Sequence, residues 1–282
     1  MDLDAAFEHC AGIVRRQDHD RYISCLLAPP EHRSELLALY AFDGEISGIR
    51  DAVSQPMPGE IRLQWWRDAI EGGRREEVEA HPVAMALAHT MTRNDLPRDA
   101  FLKLLDARVF DLYDDPMPSV LDLEGYLGET RSALIRLGSI VLMGGIEPGG
   151  AAAAGHAGVA LGIVDILRCL ALHTSRGQCF LPIELLVRHG ATRDELMRGR
   201  LTEQIGQVRQ EMIALARHHA QAAYMLIPEA DPRTRFAFLP LALVGPILQK
   251  MQKPDFDPFH IFAEEPRWRR QIRLWRAARR GF

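Results

Sequence analysis

One run of residues, 33–42, reads RSELLALYAF and decides the fold class. Its apolar side chains, which include Leu36, Leu39 and Tyr40, recur every three or four residues, as one face of an α-helix requires. The same spacing continues downstream, at Ile61, Trp65 and Ile70. Runs of alternating β-branched residues, which would indicate strands, are absent from the sequence. The sequence therefore predicts an all-α protein.

Length and composition leave two kinds of organisation open. At 282 residues and 47% hydrophobic content, the chain can bury one large core or divide into two domains. Proline and glycine mark the expected loops, such as 55–59 and 144–150, and none has the length or low complexity of a domain linker. We therefore expect residues 1–282 to form a single domain.

Charge and cysteine content restrict the partners and the compartment. The net charge of −4 gives no general attraction to polyanions, so we expect no nucleic-acid partner and only local basic function. The start, Met-Asp-Leu-Asp, lacks the features of a secretory signal. No Cys-x-x-Cys pair occurs among Cys10, Cys25, Cys169 and Cys179. These features predict a cytoplasmic protein with reduced thiols.

The most apolar stretch, residues 149–167, is expected to be a buried helix. It contains His156 and Asp165, whose polar side chains are unfavourable in a membrane-spanning helix. Its alanines suit a tightly packed helix that runs through Asp165 to about His173.

Several segments match, in order and spacing, the pattern of a known family. They are Asp20 to Pro29, Leu39 to Phe42, Arg62 to Arg67, His81 to Ala84, Asp106 to Asp111 and Gly177 to Pro182. Over residues 10–250 the chain resembles the squalene and phytoene synthases. The resemblance implies the isoprenoid synthase fold, in which helices surround a central cavity that takes allylic diphosphates.

The chemistry of that family rests on two acidic motifs that hold magnesium, which grips the diphosphate while the carbon–oxygen bond ionises. In this chain the first motif's frame, 47–51, has Ser47 and Gly48 at two aspartate positions and keeps Asp51. The second frame, 169–173, has Cys169 and His173 at both aspartate positions. Thiol and imidazole are poor ligands for magnesium. We therefore expect no prenyl transfer by the family mechanism, and magnesium as a cofactor only if the protein is active.

The resemblance is closer to one divergent branch of the family, a mitochondrial one that acts in the assembly of respiratory complex I and also lacks the full acidic motifs. The shared features are Glu45, Asp51 to Ser54, Glu129-Thr130, Leu167 to Arg176 and Lys250 to His260, the last being the most specific. The resemblance implies a role with complex I subunits or other assembly proteins. We expect a cytoplasmic counterpart, with a peripheral position at the inner face of the cell membrane as the open alternative.

Two helix faces are expected to line the cavity. Each carries residues four apart along the chain, which are Asp43, Ser47 and Asp51 on one face and Asp165, Cys169 and His173 on the other. The second set, with Cys179, could form a soft-metal site. Because helix-spaced sets arise easily by chance, we instead predict remnant cavity residues and no metal.

The expected ligand-binding residues are mainly arginines, which offer charge-assisted hydrogen bonds to a phosphate or carboxylate. The expected ligand is an isoprenoid or another lipid that carries such a group. The alternative is that these arginines pair with Glu45, Asp51 and Asp165. Tyr40 is included because it matches a cavity tyrosine of the family. The full set is Tyr40, Asp43, Glu45, Arg50, Arg62, Asp165, Arg168 and Arg176.

The C-terminal segment, 264–282, is predicted to be a basic amphipathic helix. Trp268, Ile272 and Trp275 fall four and three residues apart among many arginines. Such a helix docks on a membrane surface or a partner, or it packs on the helical bundle with its arginines solvated.

Three functions of different classes remain open from the sequence. The first is a non-catalytic assembly factor, which the missing aspartates and the closing motif favour. The second is an active prenyl transferase in which other acids compensate, and the third is an isoprenoid- or lipid-binding protein that uses the arginines.

Overall fold

A computed structural model describes residues 2–253, 255–261, 263 and 265–281. Over these ranges the chain forms helices and turns without a strand, which confirms the predicted all-α class. The α-helices are α1 (Leu3–Gln17), α2 (His19–Leu27), α3 (Pro30–Ser47), α4 (Pro56–Ile70), α5 (Arg75–Ala80), α6 (Pro82–Arg93), α7 (Arg98–Arg108), α8 (Val120–Leu127), α9 (Ala133–Leu142), α10 (Ala151–Arg168), α11 (Leu170–Ser175), α12 (Ile183–Arg188), α13 (Arg193–Met197), α14 (Glu203–Leu226), α15 (Arg235–Phe238), α16 (Val244–Met251) and α17 (Arg267–Arg280).

Shorter helical turns connect several of these helices. A π-helical turn covers Gly128–Ser132 between α8 and α9. The 3₁₀ turns are Ile49–Ala52, Val109–Leu112, Ile227–Glu229, Pro232–Thr234 and Leu239–Leu243.

The run that predicted the fold forms the buried part of α3. Pro30 suits the first position of this helix because that residue needs no N–H donor there. Leu36, Leu39 and Phe42 are almost completely buried. The Phe42 ring meets Trp66 of α4 edge to face, with centroids 5.0 Å apart. The predicted spacing therefore identifies the face of α3 on which neighbouring helices pack.

Two glycines let α10 approach the turn that precedes α9. A Cβ atom on Gly158 would stand 2.3 Å from the backbone nitrogen of Ser132, and one on Gly162 would stand 2.3 Å from a methyl of Leu127. Contacts that short essentially never occur between real atoms, so a Cβ at Gly158 would collide with the backbone, and one at Gly162 would require the Leu127 side chain to shift. The close approach brings α10 beside the π-helical turn.

The helix α10 is also, within the described ranges, the one helix long and apolar enough to cross a membrane. Of the residues in this window, Ala151–Arg168, 61% are buried inside the protein, as expected for a helix that packs in the core.

One expected loop proved to be helical. Residues 55–59 were predicted as a loop, but α4 begins at Pro56 and includes Pro58 and Gly59. Prolines are tolerated in the first turn because those backbone positions have no hydrogen-bond partner within the helix.

The buried hydrophobic side chains form one cluster that extends along the chain from Ala6 to Ala278. Its C-terminal part comes from α17, which packs on α2 and on the turn Leu239–Leu243. The helix expected over 264–282 begins at Arg267, because Pro266 occupies its N-cap with extended backbone angles. Glu264 and Phe282 lie outside the described residues.

Candidate functional site

A small cavity of about 150 Å³ lies where the end of α3, the π-helical turn, α10 and α11 meet. Seven of the residues singled out in the sequence line it: Ser47, Arg50, Asp51, Asp165, Cys169, His173 and Arg176. The two chain segments that the family resemblance set opposite each other therefore share one cavity.

Neither segment is the continuous helix that the sequence predicted. The first helix, α3, ends at Ser47, and Asp51 lies on the 3₁₀ turn Ile49–Ala52 that follows Gly48. Glycine has a low helix propensity, which explains why α3 stops there. The second helix, α10, ends at Arg168, and Cys169 separates it from α11. The prediction that each set of three residues shares one face of a continuous helix is therefore only approximately correct on both sides of the cavity.

Each carboxylate that lines the cavity is bound by a guanidinium group. Asp51 Oδ1 lies 2.6 Å from Arg176 Nη1. Asp165 Oδ2 lies 3.1 Å from Arg131 Nη2. Further pairs are Arg168 with Asp165 at 3.6 Å and Arg108 with Asp111 at 3.0 Å. The alternative in which the arginines pair with acids is therefore observed for Asp51 and Asp165.

Beneath the cavity, Asp43 is the buried centre of the arginine network. Its carboxylate is 2.7 Å from Arg21, 2.9 Å from Arg108 and 3.5 Å from Arg131. Burial alone would raise the pKa of Asp43, but the three guanidiniums outweigh burial and hold that pKa well below its usual range. Asp43 does not line the cavity itself; it anchors two arginines, Arg108 and Arg131, that do.

The remaining polar groups of the cavity are neutral near pH 7. Burial, together with Arg176 and Arg131, lowers the pKa of His173 to about 4. Burial also raises the pKa of the Cys169 thiol. The His173 ring packs against Phe180, with centroids 4.7 Å apart, and its buried Nδ1 has no hydrogen-bond partner in the described part of the chain.

The soft-metal alternative has no support in the part of the chain that the structure describes. No three His, Cys, Asp or Glu side chains there lie close enough together to hold a metal ion. Cys179, which would have joined such a site, is buried and donates its Sγ–H to the carbonyl of Leu181.

Three of the predicted residues line a different, larger pocket of about 450 Å³. Glu45, Gly48 and Arg62 lie there beside Trp65 and His81. Glu45 Oε2 is 3.5 Å from His81 Nε2, yet burial raises the pKa of Glu45 to about 7 and lowers that of His81. The two side chains are therefore not a fully charged ion pair at neutral pH.

Tyr40 and Arg168 line neither of these pockets. Tyr40 is buried in the core, with the Arg21 guanidinium 4.9 Å above its ring. Arg168 lies beside Asp165, three residues earlier in the same helix. Tyr40 therefore lies in the packed core and outside both pockets, and its role in ligand binding stays a prediction.

Sequence reasoning missed four central residues of the cavity, namely Arg108, Asp111, Tyr126 and Arg131. The Tyr126 hydroxyl donates to Asp111 at 2.6 Å, and Arg108 donates to the Tyr126 oxygen at 3.0 Å. A signal was present for three of them, since Asp111 ends the family-like segment Asp106 to Asp111. Arg108 falls inside the segment Asp106 to Asp111, and Arg131 directly follows Glu129-Thr130.

Chemically, the cavity is suited to holding a small anion. Its guanidiniums include Arg50, whose Nη2 is 3.4 Å from the exposed carboxylate of Asp114. The Nε atoms of Arg50 and Arg108 are buried and have no hydrogen-bond partner among the described residues. Unused donors of this kind favour an acceptor such as phosphate or carboxylate.

Comparison with known proteins supports both the predicted fold and the predicted resemblance to a divergent branch of the family. A crystal structure of a dehydrosqualene synthase in complex with ligand superposes with a TM-score of 0.81 over 98% of this chain and 96% of that chain. Because the identity is 17%, this likeness concerns the fold alone.

Sequence comparison is more specific. NADH dehydrogenase (ubiquinone) complex I, assembly factor 6 of Rattus norvegicus is 33% identical over 256 residues, covering 89% of this chain and 75% of that relative. The Homo sapiens protein of the same name is 30% identical over 252 residues, with the same coverage. A family model described as squalene/phytoene synthase matches residues 14–276. The predicted resemblance is thereby confirmed, and the chain belongs to the squalene/phytoene synthase family.

Proposed function

We propose that this protein is a non-catalytic member of its family that acts in the assembly of respiratory complex I. Similarity to complex I assembly factors over 89% of the chain supports the process and the class of partner, which would be complex I subunits or other assembly proteins. We also propose a cytoplasmic location for this activity.

The observation that carries the non-catalytic part is the pairing of the cavity's acids with arginines. Magnesium needs carboxylate oxygens that are free to coordinate it and to hold it against a diphosphate. Asp51 and Asp165 instead bind Arg176 and Arg131. With Ser47, Cys169 and His173 completing the walls, these residues do not fit a magnesium–diphosphate centre.

The size of the cavity also weighs against prenyl transfer. Pockets that bury drug-sized ligands usually measure about 300–1,000 Å³. The arginine-lined cavity measures about 150 Å³, so a long isoprenoid chain would require the surrounding helices to move. The same limit applies to an isoprenoid bound in this cavity, but not to the pocket of about 450 Å³ beside Glu45 and Arg62.

A second candidate function, binding of a small anion without chemistry, is favoured by the unpartnered Nε atoms of Arg50 and Arg108. Titration calorimetry with inorganic diphosphate in the absence of magnesium tests it. Binding that Arg50→Gln weakens about tenfold would support the site, since a charge-assisted hydrogen bond contributes about 1.5–3 kcal/mol. Equal binding by the variant would discard it.

The test of the proposed function is a gene deletion scored for assembled complex I. We expect the deletion to lower both the amount of complex I on native gels and NADH:ubiquinone oxidoreductase activity, and the wild-type gene to restore them. Succinate dehydrogenase, another membrane-bound respiratory enzyme, is the matched control and should not change. Normal complex I in the deletion strain would refute the proposal.

A further inference from the structure

The surface of α17 has two opposite faces. One face packs on the protein and contains the buried residues Arg270, Leu274 and Ala278. The other carries Trp268, Ile272 and Trp275, which are 57%, 41% and 47% exposed. With about 100° of rotation per residue, these three side chains lie within an arc of about 60° on the outside of the helix. We call them the outer stripe.

The helix is anchored to the protein by polar as well as apolar contacts. Arg270 Nε lies 3.3 Å from Asp20 of α2, and Gln271 approaches His19 to 3.1 Å. Leu274 is completely buried. The inner face of α17 therefore packs on the helical bundle, which was one of the two alternatives predicted for this segment. This packing does not cover the outer stripe.

Charge on the helix is strongly one-sided. Positions 267–280 contain seven arginines and no acidic residue. The rest of the chain then carries 27 of the 34 Lys and Arg residues against all 38 Asp and Glu residues, a net charge of −11. A basic helix on an acidic protein concentrates any attraction to an anionic surface at one place.

Arginines also accompany the exposed indoles. The guanidinium of Arg269 lies 5.1 Å from the Trp268 ring, and that of Arg279 lies 4.8 Å from the Trp275 ring. Tryptophan is enriched at the interface between lipid and water because its ring is apolar and its N–H can be hydrated. Neighbouring arginines can bind lipid phosphates while the indoles enter the acyl boundary.

We propose that the outer stripe of α17 and its flanking arginines dock this protein on an anionic phospholipid surface. The occupant follows from charge complementarity together with the Trp–Ile–Trp stripe. A nucleic acid would use the arginines but would gain little from Ile272. The inference rests on α17 alone and does not depend on the proposed role in complex I assembly.

Sedimentation with vesicles tests the proposal, using the full chain. We expect binding to phosphatidylcholine vesicles that contain about 30 mol% phosphatidylglycerol, and binding about tenfold weaker to pure phosphatidylcholine. Binding should decrease as salt rises from about 0.05 M to about 0.5 M, because the Debye length shortens. Failure to bind the anionic vesicles at low salt would overturn the proposal.

Two variants separate the contributions of the stripe and the charges. Replacing the stripe by Trp268→Ser, Ile272→Ser and Trp275→Ser should weaken binding at least about tenfold. Replacing exposed arginines by Arg267→Gln, Arg276→Gln and Arg280→Gln should weaken binding similarly and reduce its salt dependence. Unchanged binding by either variant would contradict the proposal. So would binding of duplex DNA or RNA that competes with vesicles and is insensitive to loss of the stripe.

The matched controls replace exposed groups elsewhere on the surface, and the apolar ones are more exposed than the outer stripe. Met57→Ser, Leu121→Ser and Val187→Ser remove three side chains that are 71%, 77% and 70% exposed. Lys103→Gln, Arg198→Gln and Arg200→Gln remove three charges from other exposed positions. Both controls should bind anionic vesicles like the wild-type protein. Quenching of tryptophan fluorescence by brominated lipids is a readout that needs no variant, and its absence would also overturn the proposal.

Discussion

The carboxylate of Asp43 and the guanidinium of Arg108 lie 2.9 Å apart in the protein interior, each less than a tenth exposed. Arg108 also lines the cavity, where it holds Asp111 at 3.0 Å. The pair therefore links the packed core to the candidate site. Without Asp43, Arg21, Arg108 and Arg131 would lose the buried carboxylate that they share.

The first prediction concerns this pair. Asp43→Asn should destabilise the protein by about 3–5 kcal/mol, because a buried charge that loses its partner is costly. Denaturant unfolding measures the effect. The control is Asp106→Asn, which breaks a pair between Arg67 and an aspartate that is 62% exposed. The control should cost only about 0–1 kcal/mol. Equal effects of the two substitutions would contradict the buried network.

The second prediction concerns the close approach of α10. Gly158→Ala should destabilise the protein by about 1–3 kcal/mol, because the new methyl would overlap the backbone of Ser132. Gly155→Ala on the same helix is the matched control, since a Cβ there meets no atom within 4 Å. The control should be neutral or should stabilise the helix by up to about 1 kcal/mol. Thermal unfolding of both variants decides the point.

The third prediction is a pH dependence that originates at Glu45. Burial raises the pKa of Glu45 from its ordinary value of 4.5 to about 7, so ionising the carboxyl disfavours the folded state. Stability from the neutral carboxyl is complete below about pH 4.5 and is lost as pH rises through about 7. Relative to Glu45→Gln, the wild-type protein should lose on the order of 2 kcal/mol between about pH 5 and pH 8, allowing for partial exposure. The exposed Glu71→Gln should show no such difference in denaturant unfolding.

The fourth prediction separates assembly from catalysis. Asp51→Asn should leave complex I assembly intact when the variant replaces the wild-type gene, because Asp51 is half exposed and its partner Arg176 stays hydrated. Native gels and NADH:ubiquinone oxidoreductase activity provide the measurement. Loss of assembled complex I with a normally folded variant would indicate that Asp51 has a catalytic or ligand-binding role.

The fold was predictable because its signal is local. Helical spacing at Leu36, Leu39 and Tyr40 depends on neighbouring residues, and the family motifs placed Asp165 and Asp51 at one cavity. Tyr40 shows the limit, since spacing assigns a residue to a face but not that face to the cavity or the core. Only packing distinguishes the two environments.

The arginine network was not predictable for a similar reason. Arg131 reaches Asp165 and Asp43 from a π-helical turn, and the sequence around Gly128–Ser132 gives no indication of that turn. Glu45 and Ser47 are two residues apart on α3 and so enter different pockets. Such long-range pairings depend on how the helices cross, and a short sequence motif does not determine this crossing.

An assay of catalytic turnover is the most direct test of the claim that the carboxylates of the cavity pair with arginines and do not bind magnesium. The protein is incubated at high concentration with farnesyl or geranylgeranyl diphosphate and magnesium, beside an active dehydrosqualene synthase as control. We expect the control to form its product and this protein to form no squalene, phytoene or cyclopropyl intermediate. Magnesium-dependent appearance of any of these products with the purified protein would contradict the account.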